Sequence, residues 1–68
     1  MTAGDVFRKL REHGARETRR KGSHRRFVSS CQQCKTTVPD HGHRDLGTGL
    51  IKAIDADMAP CWGKGWLK

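Results

Sequence analysis

The chain has no long apolar run, few acids and little hydrophobic mass, and each shortage excludes something. No stretch approaches the roughly 18 consecutive apolar residues of a membrane-spanning helix. No secretory signal pattern is recognisable, since Met1 leads directly into a helical pattern. Only 34% of the 68 residues are hydrophobic, which allows one small domain with a thin core. Chains of this size seldom draw more than ~3–5 kcal/mol from one core, so partner binding is a natural expectation. Cysteine is scarce and odd in number, at three; that fits a reducing cytoplasm better than a secreted disulfide scaffold. The basic region has no accompanying cluster of Asp and Glu, so no Mg²⁺ site is expected there. Repeats and low-complexity tracts are also lacking.

What the chain has in excess is positive charge, placed unevenly. Residues 1–35 carry ten Lys and Arg against Asp5, Glu12 and Glu17, whereas residues 36–68 carry four of each sign, so the whole net charge of +7 belongs to the first half. A face that meets a polyanion has this asymmetry. An anionic membrane fits less well, because the cations do not line a helix backed by a broad apolar stripe. A charge run alone is ordinarily a solvated surface, but this one encloses a turn and a histidine: residues 19–27 read RRKGSHRRF.

Within that stretch Arg19, Arg20, Lys21, Arg25 and Arg26 are candidates for holding phosphate, and Gly22 and Ser23 for the turn that presents the next side chain. That side chain is His24. Histidine can exchange a proton near neutral pH, which Lys and Arg cannot readily do. RNA carries its own nucleophile, the 2′-hydroxyl beside the scissile phosphate. A neutral imidazole can take that proton while cations offset charge on the pentacoordinate transition state. His24 is therefore the candidate general base or acid, with no metal cofactor required. A non-catalytic RNA-binding module, in which His24 only stacks or hydrogen-bonds, would use the same cations and is the alternative.

The order of elements can be read in outline. Thr2 and Asp5 have capping-box spacing, with Asp5 in place of the usual Glu. Val6, Phe7 and Leu10 mark the apolar face of a helix that Gly14 is placed to end. Residues 15–20 make a weak strand and residues 21–23 a turn. Residues 24–29 alternate, with His24, Arg26 and Val28 on one face and Arg25 and Phe27 on the other. After a turn at residues 30–33, residues 35–38 form a short strand that Pro39 stops, and residues 40–45 form a loop. A second helix starts between Gly47 and Leu50 with Thr48 as its N-cap, buries Leu50 or Ile51, Ile54 and Met58, and ends at Pro60. The expected fold is α+β: a small α-β-β-β-α domain whose three-stranded antiparallel sheet carries both helices on one face. Val6, Leu10, Phe27, Val38, Ile51 and Ile54 would supply most of the core. The other sheet face stays polar, and His24 projects from it or from its edge. A register slip of one residue would reverse that placement.

The remaining histidines, cysteines and tryptophans leave alternatives open. Cys31-x-x-Cys34 followed by His41-x-His43 offers four zinc donors that would staple a binding domain, a redox pair, or plain hairpin residues. The single residue between the two histidines is tighter than in ordinary structural zinc sites. His41 is also placed to cap its turn or to meet phosphate. His13, at a helix end, is expected to be solvated, and Cys61 to be a small tail residue without chemistry. Trp62 and Trp66 can stack on bases beside Lys64 and Lys68, cover the edge of a small core, or face a protein partner. Covering the core is the commonest of these uses.

Taken together, KGSH followed closely by Phe27, then TTVPDHGHRDLGTG and a helical LIKAI, resembles the HicA family of toxins from type II toxin–antitoxin modules. The marks keep their order: a short helix ending in Gly14, Lys21-Gly22-Ser23-His24, Phe27, Thr37-Val38-Pro39, His41, and Asp45-Leu46 before a Gly/Thr-started helix. The likeness covers residues 6–54 or so, and the tail PCWGKGWLK extends past it. It implies a fold like that of double-stranded-RNA-binding domains, and a ribosome-independent mRNA endonuclease (an mRNA interferase) with His24 as its catalytic histidine. It further implies a HicB-type antitoxin as inhibitor, expected to be acidic where it touches and to lie over His24. Residues 1–68 would then be a single HicA-like domain, with residues 60–68 as a Trp/Gly-containing tail.

Overall fold

In the computed structural model, which describes residues 1–67, the first helix α1 spans Ala3–Glu12. Its start follows from the Thr2/Asp5 spacing. Thr2 Oγ1 accepts the Asp5 amide at 3.3 Å and Asp5 Oδ2 accepts the Thr2 amide at 2.9 Å, so two otherwise orphaned donors are satisfied reciprocally. Ala3, Val6, Phe7 and Leu10 form its buried face. Gly14, at φ +88°, reverses the chain at the other end. Its amide donates to Arg11 O, and the Ala15 amide donates to Leu10 O, both at 2.9 Å. That pair of bonds closes a helix around a left-handed residue, and Ala15 tucks into the core behind it.

Three strands follow as a meander. β1 (Arg16–Lys21), β2 (His24–Val28) and β3 (Lys35–Pro39) pair antiparallel in the order β1-β2-β3. Lys21 lies opposite His24 across the two-residue turn Gly22-Ser23. Gly22 takes φ +59° while Ser23 does not leave negative φ, the arrangement of a type II′ hairpin turn, which asks for glycine at its first position. The register then sets Arg19 opposite Arg26 and Arg26 opposite Thr37, and an irregularity at Thr18 brings Glu17 opposite Phe27. Alternation along β2 turns Phe27 fully inward and leaves His24 and Arg26 exposed on the other face, as the sequence pattern requires. β3 runs one residue beyond its expected stop. Pro39 pairs with His24 at the end of an edge strand, a position where proline is tolerated.

The second helix, α2 (Thr48–Trp62), starts within the expected interval but differs from expectation in its N-cap and at its C-terminal end. Gly47, in extended conformation, is the N-cap, and Thr48 is already helical. Pro60 lies inside the helix, which ends instead at Gly63 with φ +85°. So late a proline removes only the bond to Ala56 O. The residues after it are held by other means: Cys61 by a disulfide to Cys34, and Trp62 by ring contacts with His13 and Trp66. Cys61 therefore has covalent chemistry that its place in the sequence did not suggest. The bond joins the β2–β3 loop to the last turn of α2 across 27 residues of chain, with Cα atoms 6.3 Å apart. In the chain-entropy description, closing such a loop contributes about 3–4 kcal/mol.

Both helices pack on the Phe27 face of the sheet. Phe27, Leu10, Ile54, Met58, Leu67, Val6 and Val38 are the largest fully buried side chains, and Phe7 stacks on Phe27 with ring centroids 5.4 Å apart. Ile51, expected among them, is only partly buried. The tail turns back to complete the core. Asp55 accepts the Gly65 and Leu67 amides at 3.1 and 3.3 Å, and Trp66 Nε1 donates to Asp55 O at 2.9 Å. Trp66 and Leu67 thus cover the core, the second of the uses considered for the tail. Lys68 lies outside the described residues. Among the described residues no helix is long and apolar enough to cross a membrane.

Phe27 is where the two helices and the sheet meet, so Phe27→Ala should cost about 3–5 kcal/mol, most of what a domain this small possesses. Urea denaturation followed by circular dichroism measures it. An unchanged midpoint would show that the core is not organised around this ring.

Candidate nucleic-acid interface

His24 is the first residue of β2, immediately after the Gly22-Ser23 turn, and the turn is braced from two sides. Ser23 O accepts the Asp40 amide at 2.6 Å, and Arg20 Nε donates to Gly22 O at 3.3 Å. The first bond ties the turn to the end of β3; the second uses one of the cations of β1. Because directly paired residues share a face, Lys21 flanks His24 on one side and Pro39 on the other. One step along, Arg19, Arg26 and Thr37 form the next row on the same face.

Arg19, Lys21, His24, Arg26 and Thr37 line a shallow hollow of about 260 Å³ on the open face of the sheet. Among the described residues no carboxylate forms an ion pair with Arg19, Lys21 or Arg26. Three cations around one hollow repel each other, and an anion placed between them relieves that repulsion. Thr37 was missed by sequence reasoning. Its signal is the alternation in KTTVP, which puts Lys35, Thr37 and Pro39 on the side opposite Thr36 and Val38. Only the cross-strand register, however, brings Thr37 beside Arg26.

Arg25, grouped with the phosphate-holding cations on sequence proximity, lies on the other face. Its Nε and Nη2 donate to the two Glu17 carboxylate oxygens at 2.7 and 2.8 Å, and its Nη1 donates to Asp40 Oδ2 at 3.2 Å. The guanidinium carbon stands 4.1 Å from the Phe7 ring centroid, with the side chain 16% exposed. A bidentate carboxylate and an aromatic face together suit a planar cation. Because β2 alternates, neighbours in sequence belong to opposite faces, which puts Arg25 on the side away from His24 and Arg26. The Glu17 carboxyl is held below its ordinary range chiefly by the hydrogen bond from Arg25. Asp40 is lowered first by the Gly42 amide and then by Arg25, and the Arg25 guanidinium is raised chiefly by Glu17. Arg20 pairs across from Arg25, so among the expected cations Arg19, Lys21 and Arg26 are the ones gathered around His24. Gly22 and Ser23 shape the approach to it.

The four possible zinc donors are not brought together. Cys34 is spent in the disulfide with Cys61. Among the described residues no group of three or more His, Cys, Asp or Glu is arranged to hold a metal ion. The zinc-stapled reading of Cys31, Cys34, His41 and His43 is therefore set aside. His41 and His43 are exposed in the loop before α2. His13 is not simply solvated: its ring lies 4.9 Å from that of Trp62, and its Nδ1 is 2.9 Å from Lys9 O.

Compared with known families, residues 3–59 match the model described as the HicA toxin of bacterial toxin–antitoxin systems. The matched span runs from the first residue of α1 into the last turn of α2. Neither a curated protein nor a solved structure matches the chain.

Glu17 and Asp40 have depressed carboxyl pKa values in the folded chain, so their contribution is present above the unfolded-state range and is lost as pH falls through the folded values. Wild type should therefore lose urea resistance between about pH 5 and about pH 3. A Glu17→Gln/Asp40→Asn variant should begin less stable and lose less over the same interval. Parallel curves for the two proteins would remove the Arg25 ion pairs from the stability of the fold.

Proposed function

Because the chain belongs to the HicA family of toxins from bacterial toxin–antitoxin modules, we propose that it is an endoribonuclease that cuts mRNA through His24. The observation that carries this reading is the exposed imidazole at the edge of a hollow lined by Arg19, Lys21 and Arg26, none of them paired to an acid among the described residues. An RNA strand laid along the open face would place phosphates against these cations, with the Thr37 hydroxyl available for a further polar contact. Neutral His24 accepts the proton of the 2′-hydroxyl, whose oxygen attacks the adjacent phosphorus. The cations offset the charge gathered on the pentacoordinate phosphorus. The 5′-oxygen then leaves with a proton from water or from the imidazolium that His24 has become.

One positioned base is worth roughly 10²–10⁴-fold in rate, so the enzyme is slow by the standards of nucleases with a full acid–base pair. Slow cutting is sufficient for a toxin that has only to damage mRNA over minutes. The reaction needs no metal cofactor, since RNA supplies the nucleophile and the side chains supply the charge. The partner is a HicB-type antitoxin, acidic where it touches, that covers His24 directly in the cytoplasm. A complex in which cleavage stopped while His24 stayed open would refute that placement.

The test compares wild type with His24→Ala on a long RNA in EDTA, with folding and RNA binding measured alongside. His24 is exposed and takes no part in the core, so the variant should fold and bind. Its cutting should fall by about 10²–10⁴-fold. Equal cutting by both proteins would mean that another residue is the base. Binding without cutting by both would make the chain a binding module, and wild-type activity lost only in EDTA would overturn metal independence.

A further inference from the structure

At the opposite end of β2 from His24, the three cysteines surround one buried hydroxyl. Ser29 is 3% exposed, and its Oγ lies 3.3 Å from Cys31 Sγ and 3.7 Å from Cys61 Sγ. The same oxygen accepts the Cys34 amide at 3.2 Å. The loop between β2 and β3 is closed by the Ser29 amide on Cys34 O and the Gln32 amide on Ser29 O, both at 2.9 Å. Gln32 takes φ +61°, and this tight return holds Cys31 at an exposed tip. Cys34, bonded to Cys61, is only 4% exposed. Cys31 is free, and its Sγ stands 3.6 Å from that of Cys61.

We propose that this cluster is a site of thiol–disulfide exchange, with Cys31 as the attacking thiol through which a small dithiol opens the Cys34–Cys61 bond. The sequence of steps balances. The Cys31 thiolate attacks Cys61 Sγ; the Cys31–Cys61 bond forms, the Cys34–Cys61 bond breaks, and Cys34 leaves as a thiolate that takes up a proton. The new disulfide now includes the exposed sulfur. A dithiol attacks Cys31 Sγ, releasing Cys61 as a thiol and forming a mixed disulfide. Its second thiol then closes on the first and releases Cys31. Two electrons pass from the dithiol to the chain, which ends with three thiols while the dithiol ends as its cyclic disulfide.

Three features favour this route over direct attack on Cys34. Burial keeps an external thiol from Cys34, whereas Cys31 is in contact with solvent and with Cys61 together. Attack from 3.6 Å within one chain needs no encounter from solution. The Cys31 thiol is also lowered below its ordinary value, first by the hydrogen bond with Ser29 and then by the Gln33 amide. A larger thiolate fraction near neutral pH follows. Opening the bond frees the β2–β3 loop from the last turn of α2, from which Trp62 and the tail pack back on the core.

The test uses the full chain, oxidised, and follows its reduction by dithiothreitol through alkylation and mass measurement. Cys31→Ser, at an exposed position, should be reduced about tenfold or more slowly than wild type. In a glutathione redox buffer a folded Cys34→Ser protein should join Cys31 to Cys61, seen as linkage of the tryptic peptides spanning residues 27–35 and 53–64. Equal reduction rates for wild type and Cys31→Ser would overturn the proposal. So would a folded Cys34→Ser protein whose two thiols stay free in that buffer.

Discussion

The contact of Phe27 with Phe7, one residue away from Arg26 in open solvent, determines which side of the central strand faces the helices. β2 is hydrogen-bonded on both edges, so it cannot shift by one residue without breaking two ladders and expelling Phe27 from the core. The position of His24 follows from that constraint. It stands an odd number of residues from Phe27 and must face away from the helices. The Gly22-Ser23 turn, closed by the type II′ geometry, then decides that His24 begins the strand and has Lys21 beside it. The chemistry of the open face is thus held in place by packing on the closed one.

The same alternation sorts the cations. Ten Lys and Arg crowd the first 35 residues, yet they do not act as one surface. Arg25 turns inward beneath the sheet, where Glu17 from β1 and Asp40 beyond β3 neutralise it over the Phe7 ring. Arg19, Lys21 and Arg26 turn outward without acidic partners among the described residues. Two carboxylates are therefore spent on holding three strands together, and the repulsion left on the open face is the part that an RNA backbone can relieve. In a member of the HicA family this division separates the residues that make the fold from those proposed to act on mRNA.

Much of this was legible in the sequence wherever the signal was local. The Thr2/Asp5 cap, the stop at Gly14, the turn before His24 and the opposed faces of Phe27 and Arg26 each depend on residues within a few positions of one another. What escaped depended on pairs far apart. Arg25 could not be assigned to Glu17 and Asp40 without the register of three strands, and Thr37 reached the hollow only through that register. Cys34 and Cys61 are 27 residues apart, and three cysteines allow three pairings that spacing alone does not choose between. Pro60 carries a strong local stop signal, but the disulfide and ring contacts of Cys61 and Trp62 hold the helix beyond it. Leu67 joins the expected Met58 in the core because the tail folds back over α2, a long-range event without a local mark, while Ile51 is only partly buried.

The division between a folding face and a face proposed to meet RNA can be observed residue by residue. Amide chemical shifts of the His24→Ala protein, titrated with a short single-stranded RNA, report where the strand lies without its being consumed. Shifts concentrated at Arg19, Lys21, Arg26 and Thr37, with Phe7, Ile54 and Met58 undisturbed, are the expected result. Shifts centred on α2 and the tail, with the open face of the sheet unmoved, would contradict it.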